Sequence, residues 1–223
     1  MRKLFTTGCS VSTKNNCKTS YPEELAKLLN YELVDLSAGC GSNHRIWRLI
    51  TKNIIEGNLT SDDILIIQYT EPYRREFWSR FKKSDKNSLD DDFDDGRIIR
   101  FKMEIYDSHK NIKQEKEFLK LYEENFLSEK FELEIFFSHN FNFQHMLEAK
   151  NIKAIFIKTN RMNKYLDWYI ADSLKKYVFY DDTNNEIINN QTPEDSCHFS
   201  DIGHKLMAEN LYNHIINLKL NEQ

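Results

Sequence analysis

Asp63-Ile64-Leu65-Ile66-Ile67-Gln68-Tyr69 is a near-continuous apolar and β-branched run bounded by polar residues. A strand with one wet face alternates apolar and polar side chains. An unbroken run of this length instead reads as a strand buried on both faces, as in a parallel sheet covered by helices. Upstream, Ser42 is placed to cap a helix whose apolar positions Ile46, Leu49, Ile50 and Ile54 share one face. Before that helix come a short strand from Glu32 to Leu36 and a helix opening at Tyr21-Pro22-Glu23-Glu24, with proline in its first turn and apolar residues at helical spacing. Earlier still, a buried-strand pattern from Lys3 to Thr7 runs straight into Gly8-Cys9-Ser10.

Downstream, Ile152 to Ile157 reads as a fourth strand and Tyr177 to Tyr180 as a further short one, and a helix runs from about Ser200 to Leu218. Between Ile112 and about Asn151 the pattern is helical, with Phe118, Leu119, Tyr122, Phe126, Phe143, Met146 and Leu147 at helical intervals that suit core and lid packing. Strands alternating with helices predict a three-layer α/β/α fold. Its centre is a doubly wound, mostly parallel sheet of about five strands, with ligands at their carboxyl ends.

The whole chain, 1–223, is read as one domain with a variable insertion around 72–112. Within it, Lys82 to Arg97 carries Asp90-Asp91-Asp92 and Asp94-Asp95-Gly96 with little to bury, which predicts a solvated excursion or flap. The EF-hand spacing and its closing glutamate are absent, so these aspartates are not a calcium loop.

Lys+Arg 31 against Asp+Glu 35 leaves a net charge of only -4, with no basic stretch to track a phosphate backbone, so no nucleic-acid partner is expected. The first eight residues hold two basic residues but too short an apolar run for a signal-peptide core of roughly 7 residues, and no run approaches the roughly 18 of a membrane span. The expectation is a cytoplasmic protein without a membrane span, its four cysteines (Cys9, Cys17, Cys40, Cys197) reduced.

Two short segments carry the chemistry. In Gly8-Cys9-Ser10 a glycine at a strand end lets the chain turn sharply and presents a serine at the sheet edge with its N–H beside its hydroxyl. In Asp195-Ser196-Cys197-His198, a carboxylate three residues before a histidine on a tight loop can hold one imidazole nitrogen while the other faces a nucleophile. The simpler reading, that Asp195 and Ser200 cap the last helix, leaves His198 without a task.

Together these blocks resemble those of the SGNH, or GDSL-type, serine hydrolases, in the family's order and places. The resemblance implies a flavodoxin-like fold and a triad of Ser10 (nucleophile), His198 (base) and Asp195 (acid), with no metal or organic cofactor. The segment Leu36-Ser37-Ala38-Gly39-Cys40-Gly41-Ser42-Asn43 looks like the family's second block. Gly41, or Cys40 one residue earlier, would there give its N–H to an oxyanion hole shared with the Ser10 N–H. After the third strand the family has Gly-x-Asn-Asp, where this chain reads Gln68-Tyr69-Thr70-Glu71-Pro72. The usual asparagine donor is missing, and either the Thr70 hydroxyl or the Asn43 amide is its candidate replacement. Losing one such donor typically costs about 2.7 to 4 kcal/mol in the barrier.

The resemblance implies hydrolysis of a small acyl ester on a small molecule or carbohydrate. Two alternatives use the same site: transfer of the acyl group to another hydroxyl, and a catalytically inactive domain that keeps a ligand site. Arg74 and Arg75 would lie near the site and could hold an anion, the simpler reading being ion pairs with Glu71 or Glu76. His44, His109, His139, His145, His204 and His214 read as surface or packed histidines. The block assignments also gather Cys9, Cys40 and Cys197 around one cavity and leave Cys17 apart.

Overall fold

The computed structural model describes residues 1–14, 17–39, 41–72, 74–79, 92–93, 96–101, 113–126, 128–158, 178–180, 191–192 and 195–221. At 78–79, 92–93, 96–101, 113–115, 129, 158, 178–180, 191–192 and 195–198 only the backbone is described.

Five strands form one sheet: β1 (Lys3–Thr7), β2 (Glu32–Asp35), β3 (Ile64–Gln68), β7 (Lys153–Lys158) and β8 (Val178–Tyr180). Every pairing in it is parallel, and the spatial order is β2-β1-β3-β7-β8. The apolar run 63–69 is the centre of the sheet, and all five residues of β3 are buried. Because side chains alternate across a strand, each central strand feeds two cores. Phe5, Leu65, Ile67, Tyr69 and Phe156 pack with α2 (Asn43–Ile55) and α4 (Glu129–Ala149), whereas Leu4, Ile64, Ile66, Ile155 and Ile157 pack with α1 (Tyr21–Leu29) and α5 (Asp201–Asn217). Those two cores make the three layers.

Local signals explain the helix ends. Ser20 and Glu23 form a capping box at α1, with Pro22 in its first turn. Ser42 Oγ accepts from the Arg45 N–H at 3.1 Å, and Ser200 Oγ accepts from the Gly203 N–H at 3.2 Å. The helical region expected from 112 to 151 is two helices, α3 (Lys113–Phe126) and α4, because Ser128 starts a new one by accepting from the Phe131 N–H at 3.4 Å. Leu119, Phe143 and Leu147 are buried as expected, but Phe118 and Phe126 are 46% and 70% exposed.

At the level of secondary structure one expectation gains detail and one fails. The insertion expected around 72–112 holds strands: β4 (Arg75–Ser79), β5 (Asp92–Phe93) and β6 (Gly96–Phe101) make an antiparallel sheet in which Phe77 is in register with Ile99 and Trp78 with Ile98. Its signal was split between two distant apolar pairs that only cross-strand pairing joins. Of the acidic excursion from 82 to 97, residues 82–91 and 94–95 lie outside the described residues. Asp195 and His198, in contrast, sit not on a tight loop but on a strand, β10 (Asp195–Phe199), antiparallel to β9 (Gln191–Thr192). A regular strand would put positions three apart on opposite faces. Here the register shifts between Asp195 and Phe199, so that geometry does not bind them.

Candidate active site

The strand order reverses at β1, with β2 on one side and β3 on the other, and in a doubly wound sheet the crevice outside such a switch point is where ligands bind. Three sequence-nominated segments meet at that edge. The chain leaves β1 through Gly8 and turns at once into a one-turn helix, Ser10–Ser12. The loop after β2 joins it: the Ala38 N–H donates to the Gly8 carbonyl at 3.3 Å, and a Cβ on Gly41 would lie 3.0 Å from that same carbonyl. Thr70 ends the run that leaves β3.

The serine turn is held from below by a buried polar cluster. Ser12 Oγ donates to Gln68 Oε1, the Tyr21 hydroxyl donates to the same oxygen at 3.3 Å, and the two hydroxyls are 3.1 Å apart. All three side chains are at most 1% exposed. Burial pushes the Tyr21 hydroxyl pKa up, so it remains a donor. From above, the Ser10 carbonyl accepts from the Thr13 N–H at 3.2 Å and from Thr13 Oγ1 at 2.9 Å.

From the other end of the chain, β10 packs against this turn. Contacts just beyond it tie the two ends together: Cys17 Sγ donates to the Phe199 carbonyl at 3.0 Å, the Lys18 N–H to Asp201 at 2.7 Å, and the Tyr21 N–H to His204 Nδ1 at 3.1 Å. His204 is 1% exposed and thus packed rather than superficial. Cys17, expected to stand apart, is therefore half-buried against the carbonyl that ends β10, because the loop after Ser10 folds back over it. Cys9 is buried beside Ser10, while Cys40 and the side chains of Asp195, Cys197 and His198 lie outside the described residues. Ser200 caps α5, and Asp195 is not at that cap.

Three of the nominated oxyanion donors are otherwise occupied. The Gly41 N–H donates to the Ala38 carbonyl at 3.0 Å, closing a turn. Asn43, 1% exposed, exchanges both amide groups with Thr70: Nδ2 donates to the Thr70 carbonyl at 2.8 Å and Oδ1 accepts from the Thr70 N–H at 2.9 Å. Asn43 thus clamps the end of β3 to the start of α2. Asn43→Ala strands two buried backbone groups and should cost about 2–3 kcal/mol, and Asn43→Asp should cost at least as much because its buried carboxylate would face the Thr70 carbonyl. Urea titrations of the three proteins check the order. The Thr70 hydroxyl donates to Glu71 at 3.4 Å.

The arginines are paired, though not quite as expected. Arg74 pairs with Glu71, Arg75 with Glu132 at 2.5 Å, and Glu76 with Arg48 through two contacts of 3.1 and 3.3 Å. Glu132, 1% exposed, also accepts from the Tyr122 hydroxyl at 3.0 Å, which joins β4, α3 and α4. Burial, reinforced by Glu132, raises the Tyr122 pKa to about 12.

Beside the site a groove of about 710 Å³ follows the outer face of α2 from His44 to Glu56, with Glu76 and His139 on its far wall. Sequence reasoning missed it, since its two histidines come from different helices. Their ring centroids are 5.7 Å apart, and both rings lie against Trp47. Burial first, then Arg75 and His139, lower the His44 pKa from 6.5 to about 4. Above pH 6.5 His44 is neutral folded or unfolded. As pH falls toward 4 the unfolded chain takes up the proton first, so stability is lost across that window. With partial solvent screening the loss is about 1–2 kcal/mol. His44→Gln should flatten the decline in unfolding free energy between pH 7.5 and pH 4.5, and an unchanged slope would contradict this account.

No protein-family model matches the chain, and none of the curated proteins does either. Solved structures do. A protein of the G-D-S-L family from Desulfitobacterium hafniense superposes with a TM-score of 0.54 at 12% identity, over 96% of this chain and 99% of that one. The psychrotrophic esterase EstA from Pseudoalteromonas gives 0.54 at 10% identity over 98% and 99%. The acetyl xylan esterase Est2A from the rumen bacterium Butyrivibrio proteoclasticus gives 0.50 at 14% identity, over 98% of this chain and 65% of its own. No described helix is long and apolar enough to cross a membrane. With its parallel sheet in the order β2-β1-β3-β7-β8 and helices on both faces, this chain has the fold of the SGNH, or G-D-S-L, hydrolases.

Proposed function

We propose that the protein is a serine hydrolase that cleaves an ester-linked acyl group, with Ser10 as nucleophile, His198 as base and Asp195 as its carboxylate partner. The observation that carries this reading is the packing of β10, which bears positions 195 and 198, against the one-turn helix that opens at Ser10. These are the two segments that sequence alone marked as chemical, and they lie outside the β1/β3 switch point.

In the reaction, Ser10 Oγ bonds to the ester carbonyl carbon as its proton passes to the His198 imidazole, and the carbonyl π pair moves onto oxygen. Collapse of that oxyanion breaks the bond to the alcohol, which leaves with the proton from His198. Water then repeats the two steps on the acyl-enzyme and releases the acid and Ser10. Asp195 stabilises the imidazolium between steps. A small acyl group on a polar molecule such as a carbohydrate is the substrate class we favour, in keeping with the acetyl xylan esterase of the same fold.

A fluorophosphonate probe and an aryl acetate test the proposal together. The expected result is stoichiometric labelling mapped to Ser10, with loss of acetate hydrolysis in step. Labelling elsewhere, or hydrolysis that survives complete labelling of Ser10, would refute it.

A further inference from the structure

We propose that Arg74 is a catalytic residue of this site, its guanidinium donating a hydrogen bond to the oxyanion formed when Ser10 attacks the ester. The inference rests on the esterase reading above.

It starts from the donors already spent. The Gly41 N–H is taken by the Ala38 carbonyl, the Asn43 amide by the Thr70 backbone, and the Thr70 hydroxyl by Glu71. Arg74 lies in the loop beyond the carboxyl end of β3, and Ser10 lies beyond the carboxyl end of β1, the neighbouring parallel strand. It follows the run that leaves β3 beside β1, and its N–H closes a turn on the Glu71 carbonyl at 3.1 Å. The residue is only 5% exposed. Glu71, 12% exposed at its side chain, is its ion-pair partner, and Arg74 Nη1 is buried with no hydrogen-bond partner among the described residues.

A guanidinium carries five N–H donors and no acceptor, and one carboxylate cannot satisfy them all. Buried donors are almost always paired, so an orphan on a charged group calls for an acceptor that arrives with a ligand. Glu71 balances the charge, which makes the burial tolerable, and fixes the guanidinium before substrate binds. A preorganised donor in a dry setting is what stabilises developing negative charge. Arg74 forms no covalent bond and moves no proton in the step. A lysine there would keep the charge and lose the planar fork.

The test compares wild type with Arg74→Lys, Arg74→Ala and Ser10→Ala on an aryl acetate, with circular dichroism and melting curves on each. Both arginine variants should lower kcat about 100-fold or more while KM changes less than about threefold, and phosphonylation of Ser10 should slow in parallel. Added guanidinium ion should restore part of the kcat of Arg74→Ala but none of that of Ser10→Ala. A crystal structure of the wild-type phosphonate adduct supplies a check independent of variant folding: Arg74 Nη1 should lie about 2.7–3.1 Å from the phosphonyl oxygen. A folded Arg74→Lys with kcat within threefold of wild type, a rise confined to KM, or an adduct with Arg74 turned away would overturn the assignment and leave Ser10 as nucleophile. Full activity in Ser10→Ala would overturn the esterase reading and Arg74 with it.

Discussion

Ser10→Ala is expected to lower kcat/KM on an aryl acetate by about three orders of magnitude or more while moving the melting temperature by only a few degrees. The proposed nucleophile has no substitute within its turn. Ser12, two residues on, is 0% exposed and bonded to Gln68 and Tyr21, so its hydroxyl is committed to the core. The fold should tolerate the change because the turn is held through the Ser10 carbonyl, which the substitution keeps. Ser10 itself is only partly buried, so little packing is lost. Residual activity within about tenfold of wild type would sink the assignment, and circular dichroism separates that result from unfolding.

A second large effect is expected one step back along the chain. A Cβ on Gly8 would lie 2.1 Å from Ser12 Oγ, 3.0 Å from Ser12 Cβ and 3.1 Å from Gln68 Oε1. None of these atoms can retreat easily, since Ser12, Gln68 and Tyr21 form one buried cluster beneath the Ser10 turn. Gly8→Ala should therefore cost about 2–3 kcal/mol through overpacking. In a chain of this length that lowers the melting temperature by roughly 5–10 °C. Activity should fall as well, because the displaced residues lead directly into Ser10. Adding Ser12→Gly removes the nearest obstacle, so the double variant should be more stable than the two single losses summed. Strict additivity would show that the collision is relieved elsewhere.

The two cores, the helix caps and the strand sequence of the main sheet were legible before any coordinates, and for a local reason. Ile64 to Gln68 are buried on both faces, so each position is apolar or fully bonded. Ser20, Ser42 and Ser200 sit at helix starts because a side-chain oxygen there meets a backbone N–H within three residues. Ser10, Asp195 and His198 were nominated in another way, through their resemblance to an ordered set of blocks. The hairpin around Phe77 and Ile99 was not, because neither half is a convincing strand until the other lies beside it.

Which donors remain for chemistry was likewise hidden. A glycine in the second block and an asparagine at a helix start look available in a one-dimensional string. Folding gives the Gly41 N–H to Ala38 and the Asn43 amide to Thr70, and buries Arg74 with one carboxylate and an unspent N–H. Hydrogen-bond capacity is divided only when segments distant in sequence meet. The chain alone therefore dictates its layers through periodicity and capping, while the tertiary structure decides which of its polar groups are consumed by the fold and which are left unspent.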